Sequence, residues 1–376
     1  MKTMDEQFER QFEAEMAKVT RPNLMIVGGT GVGKSSLINH IFGKKLAETG
    51  SGRPVTKGVL RYEDPSVPLV IFDTEGYEVA QGEVSTGNFQ TRIIPEIIQR
   101  KQGALAEQIH LVWYCISVGN HRITEFDLDN LRVLSAELNL PVAVVLTQCD
   151  TEPVDDDGNG TTSLAFREVL KSHDLRFPVF ETCADNPERD AELELDLEKL
   201  LDWSAKSLND DDLRQAFVGA QLASLPMKRA EAMKIIKIYS ATTAASAGAN
   251  PIPMSDALLI VPQQIAMAAS LAKIYGFNAM GASVVSLLKG QLVSLVGRQL
   301  AASLTKFVPI LGQVINAAVA GGITGGIGWA LLEIYESALD NYLKTGEQPD
   351  WVNLLSHDLF MQAFENGLKR FTEAKA

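Results

Sequence analysis

Short apolar runs alternate with longer amphipathic stretches through the first half of the chain. Leu24–Val27, Val59–Tyr62, Leu69–Phe72, His110–Ser117, Pro141–Leu146 and Phe177–Glu181 are compact and rich in branched or aromatic residues, which predicts strands. Lys34–Phe42 places Leu37, Ile38 and Ile41 on one helical face, and helices are also predicted around Glu125–Leu138 and over Ala191–Leu208. Gly43–Lys57 is rich in glycine, threonine and charge and reads as a loop, and Asp155–Gly160 (DDDGNG) reads as a turn. Such alternation predicts an α/β domain with a largely parallel sheet covered by helices.

After about Asn209 the strand-like runs stop, and helix-length stretches of Ala, Leu, Ile and Gly take over. An all-α second domain is expected, with the boundary in Ser207–Asp212 and domains at residues 1–20, 21–207 and 208–376. In the first segment Phe8, Phe12 and Met16 recur every four residues, as on one face of an amphipathic helix. Residues 307–332 hold 26 residues without a charge, which is long enough to span a bilayer. Gly321/Gly325 and Gly322/Gly326 are small-residue pairs that permit close helix approach in lipid. Gln313, Asn316 and Pro309 oppose a span, and the glycine cluster could turn the chain between two buried helices. Three readings therefore stay open: packed helices, conditional membrane docking or insertion, and a constitutive span.

Charge narrows the partners. The net charge is −13, which argues against nucleic-acid binding over the whole surface. Between Arg214 and Lys306, however, nine Lys/Arg face only Glu231 and Asp256. That basic segment, with Lys228, Arg229, Lys234 and Lys237 beside Met233, Ile235 and Ile236, suits an anionic membrane surface or a solvated helix face. The three cysteines form no CxxC pair, consistent with a reducing compartment, and the charged N-terminus is no signal peptide. The expected location is cytoplasmic, with attachment to the inner membrane as a further option. No zinc site is legible among the five scattered histidines.

The chemistry is concentrated between the first strand and first helix, in GGTGVGKSS, Gly28 to Ser36. Gly28, Gly33, Lys34 and Ser35 stand at the G-x-x-x-x-G-K-[ST] positions. Glycines let successive backbone N–H groups, including those of Gly31, Val32, Gly33 and Ser36, converge on a phosphate, and the following helix adds its positive end. Lys34 would then bridge the β- and γ-phosphates, and Ser35 would offer a hydroxyl to Mg²⁺. DTEGY, Asp73 to Tyr77, leaves the strand Leu69–Phe72. Asp73 can hold Mg²⁺ through a water, and Gly76 can bring a bare backbone N–H against the γ-phosphate. Thr56, in the loop after the first helix, can bind Mg²⁺ and report that phosphate. Lys34, Thr56 and Gly76 are the candidate catalytic residues, and Ser35, Thr56 and Asp73 the candidate metal ligands.

TQCD, Thr147 to Asp150, follows the strand PVAVVL. A carboxylate there can accept two hydrogen bonds from the N1–H and amino group of guanine, a pair that adenine lacks. ETCAD, Glu181 to Asp185, ends the last strand, where the backbone N–H of Ala184, next to Cys183, could reach the guanine oxygen. Thr147, Gln148 and Asp150 complete the base-side candidates.

Taken in order, GGTGVGKS, Thr56, DTEG, TQCD and TCA resemble the TrmE–Era-like branch of small GTPases over about residues 21–207. The resemblance implies a Ras-like P-loop G domain with a mixed six-stranded sheet and helices on both faces, and GTP hydrolysis with Mg²⁺, cycling between GTP and GDP. Pro251 to Gly276 looks like the hydrophobic helical domain of unknown function attached to some bacterial Era-like GTPases. Three departures matter. Gln148 replaces the lysine whose stem usually lies on the base. Gly31 stands where some relatives carry a potassium-coordinating asparagine. Tyr77 replaces the glutamine that orients water in Ras-like enzymes and cannot offer the same amide pair. Slow intrinsic hydrolysis is expected, aided by a nucleotide-dependent homodimer or by Glu75, Gln81 or Arg122. The leading reading is a GTP-driven switch acting on the helical domain. A ribosome-associated GTPase and a GTP-binding module with negligible hydrolysis are the alternatives.

Overall fold

The computed structural model describes residues 10, 12, 14, 21–43, 53–56, 59–64, 67–74, 79–80, 83–84, 93–137, 140–184, 192–193, 195–248, 257–277, 284–288, 290–291 and 314–373. Two compact units result: Thr20–Ser224, and Leu225–Ala376 together with Met1–Val19.

The described residues of the first unit form an α/β domain built on one large sheet. Its strands are β1 (Asn23–Gly28), β2 (Arg53–Thr56), β3 (Val59–Glu63), β4 (Val70–Thr74), β5 (Leu111–Ser117), β6 (Val142–Thr147) and β7 (Val179–Glu181), in the spatial order β2-β3-β4-β1-β5-β6-β7. β1 pairs in parallel with β4 and β5, as do β5 with β6 and β6 with β7. β2 and β3 run antiparallel to their neighbours. The six expected strands form the mixed sheet, and β2 extends its edge. Part of the expected loop Gly43–Lys57 is thus a strand, one whose pairing with β3 is non-local and leaves little trace in so short a run as RPVT.

The helices of this unit are α1 (Lys34–Phe42), α2 (Ile94–Lys101), α3 (Glu125–Glu137), α4 (Thr161–Ser172), α5 (Leu197–Ser207) and α6 (Asp211–Ala220). Successive side chains of a strand point to opposite faces, and β5 shows how both faces are covered. Tyr114 joins the apolar cluster that also holds Ile97, Leu131, Phe166 and Leu170. Its hydroxyl donates to Asp127 Oδ1 at 2.9 Å and accepts from Asn130 Nδ2 at 3.1 Å. Trp113, its neighbour, faces the other way. It stacks on Phe42 at 6.0 Å, meets Phe217 edge-on at 6.4 Å, and donates from Nε1 to Ser204 Oγ at 3.0 Å. Such ring pairs add about 0.5–1.5 kcal/mol each beyond area burial.

Phe217 lies on α6, beyond the boundary expected at residue 207. The division falls after Ser224 instead, because the 208–224 segment is tied into the first unit. Leu222 N donates to Ile41 O at 2.7 Å, at the C-terminal end of α1. The buried Gln221 side chain brackets Ser224, donating to its carbonyl and accepting from its N–H, each at 2.8 Å. Composition changes near Asn209, but the packing boundary follows the aromatic contacts rather than the composition. In the N-terminal segment Phe12 is buried, whereas Phe8 and Met16 lie outside the described residues.

The second unit is helical: α7 (Leu225–Gly248), α8 (Ala257–Ile274), α9 (Val314–Thr345), α10 (Trp351–Leu354) and α11 (His357–Glu373). The glycine cluster makes no turn between two helices. It lies inside the single helix α9, which packs on α7, α8 and α11. A Cβ at Gly321 would sit 2.9 Å from the Ser240 carbonyl oxygen, one at Gly328 would sit 2.8 Å from Ile236, and one at Gly326 would sit 2.8 Å from the Phe364 ring. The small residues are therefore spent on helix contacts inside this chain. Among the described residues no helix is long and apolar enough to cross a membrane, which removes the constitutive span for the part of 307–332 that is described. Polar side chains set the helix register: Gln263 Oε1 accepts from Thr243 Oγ1 at 2.9 Å, and Gln264 Nε2 donates to Thr324 Oγ1 at 3.2 Å. Lys228 is wholly buried, its Nζ donates to Ile274 O at 2.8 Å at the C-terminal end of α8, and burial lowers its pKa to about 7.

On α11, a Cβ at Gly367 would meet Trp329 Cβ of α9 at 2.6 Å, close to the backbone where the ring cannot swing away. Gly367→Ala should therefore lower stability by about 1–3 kcal/mol despite alanine's better helix propensity. Urea unfolding of the two proteins checks this; equal or greater stability of the variant would refute the close α9–α11 contact.

Candidate phosphate and base site

β1 delivers the chain to its C-terminal edge, and the loop from Gly28 to Gly33 turns it into α1. The turn depends on backbone conformations that side chains disfavour: Gly31 has φ +78° and Gly33 φ +89°. At Gly28 the limit is space, since a Cβ there would sit 2.5 Å from the Cys115 carbonyl oxygen on β5. α1 then starts with no side-chain cap and no acidic residue in its first turn. Its first N–H groups thus stay open to an anion, and the helix dipole favours one.

Lys34 is buried at the start of α1. Its Nζ donates to Gly28 O at 3.0 Å and Gly29 O at 2.9 Å, so the ammonium is held inside the curve of the loop. Ser35 is exposed and Ser36 half-buried on the same turn, and Val32 is buried beneath it.

Asp73 is the penultimate residue of β4, beside β1 and in register with Ile26. Its Oδ1 is buried and has no hydrogen-bond partner among the described residues. Burial raises its pKa to about 6, and the nearby charge of Lys34 holds the rise down. A buried carboxylate oxygen without a partner is costly, and a divalent cation would remove that cost. The donor set therefore fits Mg²⁺, with Asp73 and the Ser35 hydroxyl as the side chains that would hold it. For Thr56 the structure describes only the backbone, in β2, and Gly76, Glu75, Tyr77 and Gln81 lie outside the described residues. Arg122 is exposed.

The base-side segment joins the phosphate loop directly. Thr147 is buried at the end of β6, and its Oγ1 donates to Val32 O at 2.6 Å. Gln148 adopts a left-handed backbone, φ 60° and ψ 30°, and starts a short turn over Cys149–Thr151. Asp150 is half-buried there, and its carboxylate accepts no hydrogen bond among the described residues. Cys149 N donates to Thr182 O at 3.2 Å, and Thr182 Oγ1 donates to Leu146 O at 2.9 Å, which ties the TQCD and TCA segments together. Cys183 is buried and Ala184 is half-buried. The DDDGNG turn is separate; it folds on Asp155 Oδ1, which accepts N–H bonds from Asp157 and Asn159. Sequence reasoning missed Ser117 and Gly119. Ser117 donates from its hydroxyl to Gln148 Oε1 and accepts from Gly119 N at 3.1 Å. A polar residue ending the strand next to PVAVVL was the available signal.

Loop, lysine and strand-end carboxylates, set on this sheet, have the arrangement of a P-loop G-domain fold. Residues 23–148 match the family described as 50S ribosome-binding GTPase. The probable GTP-binding protein EngB of Flavobacterium psychrophilum is 26% identical over 129 residues, 34% of this chain and 60% of that protein. GTPase Der of Geotalea daltonii is 24% identical over 153 residues, 40% of this chain and 32% of Der. The chain thus spans about three fifths of the EngB relative and about one third of Der. Among solved structures, Era of Aquifex aeolicus is 18% identical with a TM-score of 0.31, covering 59% of this chain and 67% of Era. The FeoB G-domain of Methanococcus jannaschii is 16% identical with a TM-score of 0.28, covering 50% of this chain and 99% of that domain. The family match lies wholly within the first unit.

Thr147→Val keeps the shape of the side chain and removes the donor to Val32 O. It should cost about 1–3 kcal/mol, the range for stranding a buried polar group. Thermal melting without nucleotide checks this, and an unchanged Tm would show that the bond contributes nothing.

Proposed function

We propose that this protein binds GTP with Mg²⁺, hydrolyses it slowly to GDP and phosphate, and uses the nucleotide state to switch its helical half. The observation that carries the reading is the loop from Gly28 to Gly33, closed around the Lys34 ammonium above an uncapped helix start. Backbone N–H groups would take the β-phosphate oxygens, and Lys34 would leave its carbonyl partners to bridge the β- and γ-phosphates. Ser35 and Asp73, with Thr56 from β2, would hold Mg²⁺, which would supply charge neutralisation on the phosphates. Gly76 would meet the γ-phosphate. Asp150, its carboxylate uncommitted among the described residues, would accept from the N1–H and amino group of guanine, with Ala184 N donating to the base oxygen. Slow turnover follows from Tyr77 standing where an amide would orient water; a second copy of the chain would be one way to supply that group.

Support for switching comes from the far end of α1. There Ile41 O accepts from Leu222 N, and Phe42 packs against Trp113 and Phe217. A shift of α1 on phosphate binding would move residues 217–224, which lead straight into α7. The exposed Lys237 and Ile238 on α7 support an anionic lipid surface as the partner, whereas Lys234 is paired with Glu231 at 2.8 Å.

Calorimetry with Mg²⁺ should give heat for GTP and GDP and far less for ATP. Lys34→Ala should lose GTP binding and phosphate release by at least about tenfold, the loss expected when a charge-assisted contact of roughly 1.5–3 kcal/mol is removed. Equal heat for ATP, or undiminished phosphate release by the variant, would refute the reading.

Flotation with liposomes containing anionic lipid should recover more protein with one nucleotide state than with the others. The family description favours a ribosome-associated role as the second reading. Absence of flotation under every state, together with co-sedimentation with ribosomes at high salt, would put that reading first.

A further inference from the structure

The Gln148 side chain is held more firmly than a turn residue requires. Ser117 and Thr147 are register partners on β5 and β6, so Gln148 leaves β6 right beside the end of β5. The left-handed backbone at Gln148 is disfavoured for a residue with a side chain, and such conformations persist where the surroundings over-determine them, often at functional sites. Its carbonyl accepts two hydrogen bonds, from Thr151 N at 3.1 Å and Thr151 Oγ1 at 2.8 Å. Its side-chain oxygen accepts a third, from Ser117 Oγ.

The polarity of that third bond follows from its neighbours. Ser117 is only 3% exposed, and its hydroxyl oxygen already accepts from Gly119 N. The hydroxyl proton needs an acceptor, and the Gln148 amide supplies one only through its oxygen. The amide nitrogen is therefore the end left over, with two N–H donors and no acceptor among the described residues. Gly119 leaves room for the arrangement: a Cβ there would stand 3.2 Å from Ser117 Oγ and 3.5 Å from Gln148 Oε1. The same strand end carries Thr147 to the phosphate loop and, two residues on from Gln148, the Asp150 carboxylate. Gln148 thus lies in the chain between the residue that reaches the phosphate loop and the candidate base-side carboxylate.

We propose that Ser117 is a positioning residue for nucleoside binding. It holds the Gln148 carboxamide so that its N–H donors meet the ribose oxygens of a guanine nucleotide. A neutral donor pair aimed by a serine thereby serves where a lysine stem would lie on the base. The proposal rests on the guanine-nucleotide reading and goes beyond it in naming the group that grips the nucleoside.

The test is a set of calorimetric titrations of the full chain with GDP and, separately, with inorganic pyrophosphate, both with Mg²⁺. Ser117→Ala should weaken GDP binding by roughly three- to tenfold, the span of one hydrogen bond, and leave pyrophosphate binding unchanged. Gln148→Leu should do the same, and Ser117→Ala should add nothing in that background or in Gln148→Lys, whose ammonium cannot accept from the serine. Gln148→Leu changes a half-buried turn residue and keeps the test open should Ser117→Ala fold poorly. Equal weakening of GDP and pyrophosphate, unchanged GDP affinity, or full additivity of the two substitutions overturns the proposal. Wild-type protein that binds neither probe overturns the guanine-nucleotide reading and this proposal with it; wild-type binding with an additive cycle overturns this proposal alone.

Discussion

The phosphate loop is curved against its own preference, and most of the first unit serves to hold that curve. Backbone N–H groups that converge on one point repel one another and want an anion. The loop is kept closed from inside by Lys34, which turns its ammonium onto the Gly28 and Gly29 carbonyls. From outside it is kept by Thr147, which reaches across from β6 to Val32 O. The two contacts act on opposite sides of the same few residues. A phosphate could take over the partners of the lysine without disturbing the threonine, so the loop would keep its shape while its charge balance changes.

That arrangement spreads outward through the elements that meet the loop. β1 carries Gly28 against the Cys115 carbonyl, so the loop begins where no side chain fits. α1 starts uncapped at the loop, and its other end gives a carbonyl to Leu222 and a ring to the Phe42–Trp113–Phe217 group. The helix thus joins the glycine loop to the segment 217–224 of the same unit. In that second unit the same residue type works differently: the glycines of α9 and α11 allow backbones to approach, and strained φ angles play no part.

Where the candidate loop and its neighbouring carboxylates fall in the fold was largely legible because the pattern is local. Gly28 to Ser35 names a phosphate cradle by spacing alone, and the sheet places it between a strand and a helix as expected. Asp73 and Asp150 were legible as strand-end carboxylates, and both stand at or just beyond strand ends with uncommitted oxygens among the described residues. Ser117 was not legible, because its importance lies in a partner 31 residues away on the neighbouring strand. The short strand Arg53–Thr56 was missed for the same reason, as pairing rather than composition makes it a strand.

Composition and spacing along the chain by themselves determined the alternating α/β half, the helical half and the phosphate loop. Each is set by hydrophobic period or by residues within a few positions of one another. Tertiary structure alone decided where the first unit ends, because Phe217 and Leu222 are claimed by α1 and β5 rather than by their neighbours in sequence. It also decided what the apolar run around Gly321–Gly328 does. Hydropathy measures only the preference to leave water, whereas the contacts with Ser240, Ile236 and Phe364 show that other helices of the same chain provide that refuge.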